Sequence, residues 1–369
     1  MLKILGQSAG DRSAWLEAWR RTGGEPFAHP DYLAIVAPGY SSSHCALFQR
    51  PGCEVLLPFH RRSISREVWP SAGSKTCDAI SPYGYGGPYS ANGRVPDDFW
   101  AAFIAWMRTE HVISFFGRAS LEARLESMQG IHGIKTVGVA QNIVVALDRE
   151  PEDQWRHYDH KVRKNVNKAR RAGLVVEVQA GSFDIEEFLD LYQETMDRRG
   201  AGPWYYFSKE FFDRLAVDLA GSFVTAHVRD STGRLVSTEI VLESERHLYS
   251  FLGGTRSEAF AHAPNDLLKH AVIEYGHEHH KVSYVLGGGY MRNDGIFRYK
   301  KSFDPDGIRE FQGIHIVADT KTYESLVHDQ KSRMLSANPQ SVIDSQFFPE
   351  YRASIQSPTV PQFPAANTT

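Results

Sequence analysis

The sequence predicts an α/β (α+β) protein in which one plan is used twice, and three observations support this. The composition is that of a chain with a core: 42% hydrophobic and 23% charged over 369 residues, about two domains by length. A hairpin pattern, ALFQRPGCEVLLPFHRR from Ala46, returns 180 residues later as AHVRDSTGRLVSTEIVL from Ala226. An amphipathic helix leading into a strand, Asp97–Glu110 then Val112, returns as Asn265–His279 then Val282, an offset of 170 residues.

Taken in order, the elements agree with this plan. In both hairpins, β-branched or aromatic runs flank turn residues, Pro51-Gly52 in the first and Asp230 with Gly233 in the second. Two helical stretches precede each hairpin. They are Asp11–Arg20 and Asp31–Val36 (after Pro30, suited to a first helical turn), then Phe183–Arg199 and Ser208–Leu219. Each half therefore reads β-α-α-β-β-β-α-β, and strands interleaved with helices imply a mixed sheet in layers. Glu150–Gly173 reads as a strong helical stretch between the halves, and 336–369 is a low-complexity tail rich in Pro, Ser, Gln, Asn and Thr.

Composition also excludes several classes. Lys+Arg 41 against Asp+Glu 44 leaves a formal charge of −3, so affinity for a polyanion must come from a local patch. Cys45, Cys53 and Cys77 form no Cys-x-x-Cys pair, which argues against a disulfide framework or a zinc knuckle. The longest apolar run, Phe99–Met107, is far below the roughly 20 residues of a membrane span, so no stable membrane insertion and a cytoplasmic location are expected. No Walker loop, Gly-x-Ser-x-Gly or dinucleotide fingerprint occurs. His277, His279 and His280 lack a matching acid or Cys cluster, so no metal site is expected.

Two segments carry chemistry. In DQWRHYDHKVRKNVNKARRAG, Trp155, Tyr158, Val162, Val166 and Ala169 form an apolar stripe at helical spacing. Lys161, Arg163, Lys164, Lys168, Arg170 and Arg171 put six cations within eleven residues with no acid among them. Such a face either suits the negative end of its own helix or holds phosphates. After the strand VSYVL, three glycines (Gly287, Gly288, Gly289) permit a tight turn. A short helix capped by Asp294 then carries Tyr299 and Lys300. This pair is either an ordinary surface and core pattern, or a proton donor with an oxyanion stabiliser. In the first half, SPYGYGGPYS with Tyr83 and Tyr85 is either a pocket lining or a structural loop.

These segments resemble the Fem family of aminoacyl-tRNA-dependent transferases, whose fold is a tandem acetyltransferase (GNAT-like) one. KVRKNVNKARRAG looks like the family's Lys/Arg-x-Arg-x-Asn-x-x-Lys-Ala…Gly opening of its second domain. Pro264–Tyr275 with the following strand and GGG turn resembles its acceptor-end helix and Gly-Gly turn. Tyr299-Lys300-Lys301-Ser302-Phe303 resembles its Phe-Lys-x-x-Phe signature, with Tyr299 in place of Phe. The resemblance implies two GNAT-like domains, each a mixed, mostly antiparallel sheet flanked by helices. They would cover 1–149 and 150–307, followed by a returning strand and helix over 308–335.

It further implies amide formation between an amino acid carried by aminoacyl-tRNA and the amine of a peptidoglycan precursor or small peptide, with no bound cofactor. Lys300 would stabilise oxyanion charge beside Tyr299, and Lys161, Arg163, Lys164, Lys168 and Arg171 would hold the donor phosphates. Tyr83, Tyr85, Arg199, Arg256, Gly288 and Tyr290 would line the acceptor pocket. An acyl-CoA-dependent N-acyltransferase is the competing expectation. GGTRSEAFAHAPNDLLK lacks the Arg/Gln-x-x-Gly-x-Gly/Ala loop that cradles a CoA pyrophosphate. No helical-hairpin insert fits between Leu174 and Phe223, which implies a compact transferase of single residues.

Overall fold

The computed structural model describes residues 1–369 except 40, 65–68, 70–74, 124, 129, 132, 182, 290, 292, 338–346 and 354–369. The chain divides into two compact units, Met1–Val139 with Phe311–Pro364, and Ala140–Glu310.

The first half runs β1 (Leu2–Leu5), α1 (Ala9–Arg21), α2 (Pro30–Ile35), β2 (Ser41–Arg50), β3 (Cys53–Ser63), β4 (Cys77–Ile80), α3 (Asp97–Thr109), β5 (Val112–Arg118) and β6 (Ile134–Ala146). The second runs α4 (Pro151–His157), α5 (His160–Arg171), β7 (Val175–Ala180), α6 (Ile185–Arg199), α7 (Lys209–Asp218), β8 (Phe223–Arg229), β9 (Leu235–Glu243) and β10 (His247–Thr255). It continues with α8 (Pro264–Glu278), β11 (Ser283–Gly287), α9 (Gly295–Lys301), β12 (Ile308–Val317) and α10 (Thr320–Ala337). The β-α-α-β-β-β-α-β order read from the sequence is present in both halves.

In the first unit the strands lie in the order β1-β2-β3-β4-β5-β12. β4 and β5 are parallel, while β1–β2, β2–β3, β3–β4 and β5–β12 are antiparallel. α3 lays Phe99, Trp100, Phe103 and Met107 on Phe59, Phe115 and Ile314, the centre of this unit's core. In the second unit the order is β6-β11-β10-β9-β8-β7, and β10–β11 is the parallel pair. α8 and α5 cover one apolar layer, with Val162, Val166, Leu268 and Val272 against Val224, Val241 and Tyr284. Each unit thus resembles the other, and each is completed by a strand from the other half's stretch of chain: β12 pairs with β5, and β6 with β11.

Local chemistry sets the helix starts. Ser8, Asp184 and Ser208 accept from the backbone N–H three residues on, capping α1, α6 and α7. Two expectations need adjustment. The stretch 150–173 is two helices, because the chain is extended at Tyr158 (ψ 147°) and the Asp159 N–H turns away to the Ser302 carbonyl at 2.9 Å. The tail read over 336–369 lies mostly outside the described residues, yet Tyr351 and Ala353 are buried. Tyr351 donates to buried Asp78 at 3.0 Å, and Arg352 pairs with the same carboxylate. Among the described residues, no helix is long and apolar enough to cross a membrane.

Candidate active site

The second unit gathers the chemistry-bearing residues around the end of β11. β10 and β11 are paired only from His247 to Tyr249 and from Ser283 to Val285. Beyond that point β10 bulges between Ser250 and Leu252, and β11 shifts register between Val285 and Gly287. The chain then turns through Gly287 (φ +76°) into Gly288 and Gly289. A Cβ on Gly288 would lie 2.7 Å from the Gln141 carbonyl, and one on Gly289 would lie 2.1 Å from the Asp294 carboxylate. The glycines therefore permit close backbone packing that any side chain would block. Asp294 caps α9, accepting from the Phe297 N–H at 2.8 Å and the Met291 N–H at 3.0 Å.

This turn fixes Lys300. Its side chain is fully buried, and Nζ donates to the Gly288 carbonyl at 2.8 Å. Burial, then the charge of Lys269, pushes its pKa down to about 7; Glu239 and Asp294 oppose the shift and Arg199 adds to it. Tyr299 points another way and is half-buried. Its hydroxyl accepts from Asn265 Nδ2 at 3.0 Å, leaving the phenolic proton available to donate. Burial, then Asp266 and Glu239, raises its pKa, so the phenol stays protonated.

Beneath α9 lies a cluster that sequence reasoning missed. Lys269 Nζ donates to Glu239 Oε1 at 2.6 Å, Ser250 Oγ at 2.8 Å and Tyr284 OH at 3.1 Å. Tyr284 donates to Glu239 Oε2 at 2.7 Å, and Ser250 donates to Oε1. Lys269 and Glu239 are both fully buried. The signals were a lone acid in the apolar run VSTEIVL and a lone lysine on the apolar face of NDLLKHAV. Asp266, on the first turn of α8, is also buried, and Asn165 of α5 donates to it at 3.0 Å. Burial raises its carboxyl to about 6, while Asn165 and then Lys161 pull it down.

The segment leading into the basic helix is fastened to the chain just after α9. Besides the Asp159–Ser302 backbone bond, buried Asp304 accepts from Arg149 at 2.8 Å and the Ala146 N–H at 3.1 Å. His157 Nε2 lies 2.9 Å from the other Asp304 oxygen, and Tyr158 packs edge-on against Phe303. Lys161, Lys164, Lys168 and Arg171 stand exposed on α5. Arg163 does not join them: its guanidinium donates to the Arg156 carbonyl at 2.8 Å and to that of Tyr158, closing the break before α5. Arg170 lies over the Trp155 ring and 3.9 Å from Glu274.

The expected acceptor residues fall into different settings. Arg199 is exposed at the last turn of α6. Arg256 is buried and holds Glu194 at 2.7 Å, Asp190 at 2.6 Å and the Leu235 carbonyl at 3.0 Å, so it ties β10 to α6 and is no open ligand. Gly288 serves through its carbonyl, and Tyr290 lies outside the described residues. In the first unit Tyr85 is buried edge-on between Phe27 and Phe311, a core position, while half-buried Tyr83 offers its carbonyl to the Tyr32 hydroxyl at 2.8 Å. A Cβ on Gly86 would lie 2.2 Å from that of Ser81, so packing alone accounts for this glycine in the loop. Among the described residues, no group of three or more His, Cys, Asp or Glu could hold a metal ion.

Comparison with known proteins agrees with the architecture. Residues 156–301 match the acetyltransferase (GNAT) domain family. The UDP-N-acetylmuramoylpentapeptide-lysine N(6)-alanyltransferase of Weissella viridescens is 24% identical over 205 residues, 54% of this chain and 59% of that protein. The chain therefore matches about three-fifths of that relative's length. Among solved structures, FemX aligns with a TM-score of 0.65 at 12% identity, covering 87% of this chain and 99% of that one. L-PGS from Bacillus licheniformis gives 0.57 at 13% identity, covering 88% and 97%. The resemblance to Fem-type proteins read from the motifs is thus borne out, and the fold is Fem-like and GNAT-like.

Proposed function

We propose that this chain is an aminoacyltransferase. It would move an amino acid from aminoacyl-tRNA to the amine of a peptidoglycan precursor or small peptide, in the cytoplasm and without a bound cofactor. The observation that carries the reading is the joint between the start of α5 and the end of α9: Asp159, the N-cap of α5, bonds to Ser302, the C-cap of α9, and Arg149 and His157 of the lead-in hold Asp304 just beyond it. Lys161, Lys164, Lys168 and Arg171 hold backbone phosphates of the donor, and the ester end reaches Lys300 and Tyr299.

In the reaction, the acceptor nitrogen attacks the ester carbonyl, the C–N bond forms and the ester C–O bond breaks. A Lys300 side chain with a pKa near 7 presents a lone pair in its amine form while one N–H remains on Gly288. It takes the proton of the attacking nitrogen and, as an ammonium, then stabilises the oxyanion. As the oxyanion collapses, the ribose oxygen leaves as a hydroxyl with the proton of Tyr299, and the proton taken up by Lys300 is returned to the phenolate, which restores both residues. The start of α8 argues against the acyl-CoA reading. A CoA pyrophosphate at this helix start would face the buried Asp266 carboxyl on its first turn, and Pro264 contributes no N–H to it.

The test is product formation from isotopically labelled aminoacyl-tRNA, with and without RNase pretreatment, beside a panel of acyl-CoA donors. The proposal expects RNase-sensitive transfer to a peptidyl amine. RNase-insensitive transfer from a CoA thioester would overturn it.

A further inference from the structure

Asp266 has no part in the steps above, yet it stands within their reach. It is 7% exposed, and Asn165 of α5 directs an amide N–H to Oδ1 at 3.0 Å. Asn265, the preceding residue, holds the Tyr299 hydroxyl at 3.0 Å, so two neighbouring residues on α8 connect the basic helix to the proton donor. An acid on the first turn of a helix gains from the helix field, and that alone would keep its pKa low. Burial nevertheless lifts it to about 6. Among the described residues, the Lys161 ammonium of α5 acts on this carboxyl by charge, and the Tyr299 phenol of α9 feels the carboxylate in turn. Among the described residues its side-chain partner is the neutral Asn165 amide, and no salt bridge reaches it.

We propose that Asp266 is the residue that recognises the free α-ammonium group of the transferred amino acid, making the site specific for aminoacyl over plain acyl esters. The inference rests on the aminoacyl-ester reading of the donor. In that ester the α-nitrogen lies about 2.5 Å from the carbonyl carbon, across one Cα. An ammonium bound at Asp266 therefore holds the reacting carbonyl beside Tyr299, at the end of α9 that carries Lys300. Asn165 keeps one carboxylate oxygen occupied and the side chain fixed, and the other oxygen takes the ammonium in a charge-assisted hydrogen bond. Discrimination between donors follows, because an N-acylated amino acid brings no positive charge and leaves the carboxylate uncompensated.

The experiment compares kcat/KM for aminoacyl-tRNA and for the same tRNA after N-acetylation of its amino acid, in wild type, Asp266→Asn and Asn165→Leu. Wild type is expected to prefer the free-amine donor by about 10- to 150-fold, the range for a hydrogen bond to a charged group. Asp266→Asn should bring the two donors to within a few-fold by slowing only the free-amine one, and Asn165→Leu should narrow the gap in part. The wild-type preference should also shrink as pH falls through about 6, where the carboxylate becomes protonated. Equal slowing of both donors by Asp266→Asn, at unchanged thermal unfolding, would make the residue structural and overturn the inference while leaving the transferase reading intact. Absence of transfer from either donor in wild type would overturn both.

Discussion

Lys300 shows what burial does to a lysine. Its amine is fully buried near a second buried cation, so its proton is held loosely at neutral pH. Lys300→Met should lower kcat by about 10²–10³-fold, the scale of removing one oxyanion donor. The linkage sign predicts the opposite effect on stability. With a folded pKa near 7 and an unfolded one near the usual 10.5, the unfolded chain binds more protons between those values, so wild-type stability rises with pH across that window. Lys300→Met should flatten that rise and raise the thermal midpoint at pH 7, as read by calorimetry across pH. In wild type, kcat/KM should fall as pH drops below about 7, because Lys300 is then protonated before attack. The Lys269–Glu239 pair behaves differently. Lys269→Met leaves a buried carboxylate without its cation and should cost about 3–5 kcal/mol in urea unfolding, whereas Lys269→Met with Glu239→Leu should recover most of it.

Elements were more legible in the sequence than the partners of individual side chains. The doubled plan could be read because hairpin turns and amphipathic spacing are local signals, and Asp294 could be read as a cap for the same reason. The break at Tyr158 was not legible: it depends on a carbonyl at Ser302, far along the chain, that competes for the Asp159 N–H. Arg163 looked identical to its cationic neighbours, yet two carbonyls of the preceding turn claim it. Sequence alone leaves Arg256 a candidate pocket residue, because it cannot show that Asp190 and Glu194 meet it across the fold. These differences separate the cations of α5 into two kinds. Changing Lys161, Lys164 and Lys168 together to Glu should reduce the slope of log affinity against log salt for tRNA by about 2–3, measured by fluorescence titration. Arg163→Ala should leave that slope unchanged and lower the unfolding midpoint.

At the scale of the molecule, the two halves are alike in plan but not self-sufficient. Ser114–Arg118 of β5 pair with Gly313–Val317 of β12, and the segment holding Tyr351 and Arg352 closes on Asp78. A fragment ending at residue 149 lacks both and exposes a buried strand edge, so it should aggregate or show no cooperative unfolding transition in circular dichroism. Within the second unit, the proposed transfer requires that α5 present an RNA whose reactive end arrives at Lys300. Periodate-oxidised tRNA carries a 3′-terminal dialdehyde that forms an imine with a nearby uncharged amine, and borohydride reduction fixes the bond for peptide mapping. Labelling is expected at Lys300 and should disappear with the Lys161, Lys164 and Lys168 reversals and at high salt. Labelling confined to surface lysines elsewhere, or labelling at Lys300 indifferent to those reversals, would contradict it.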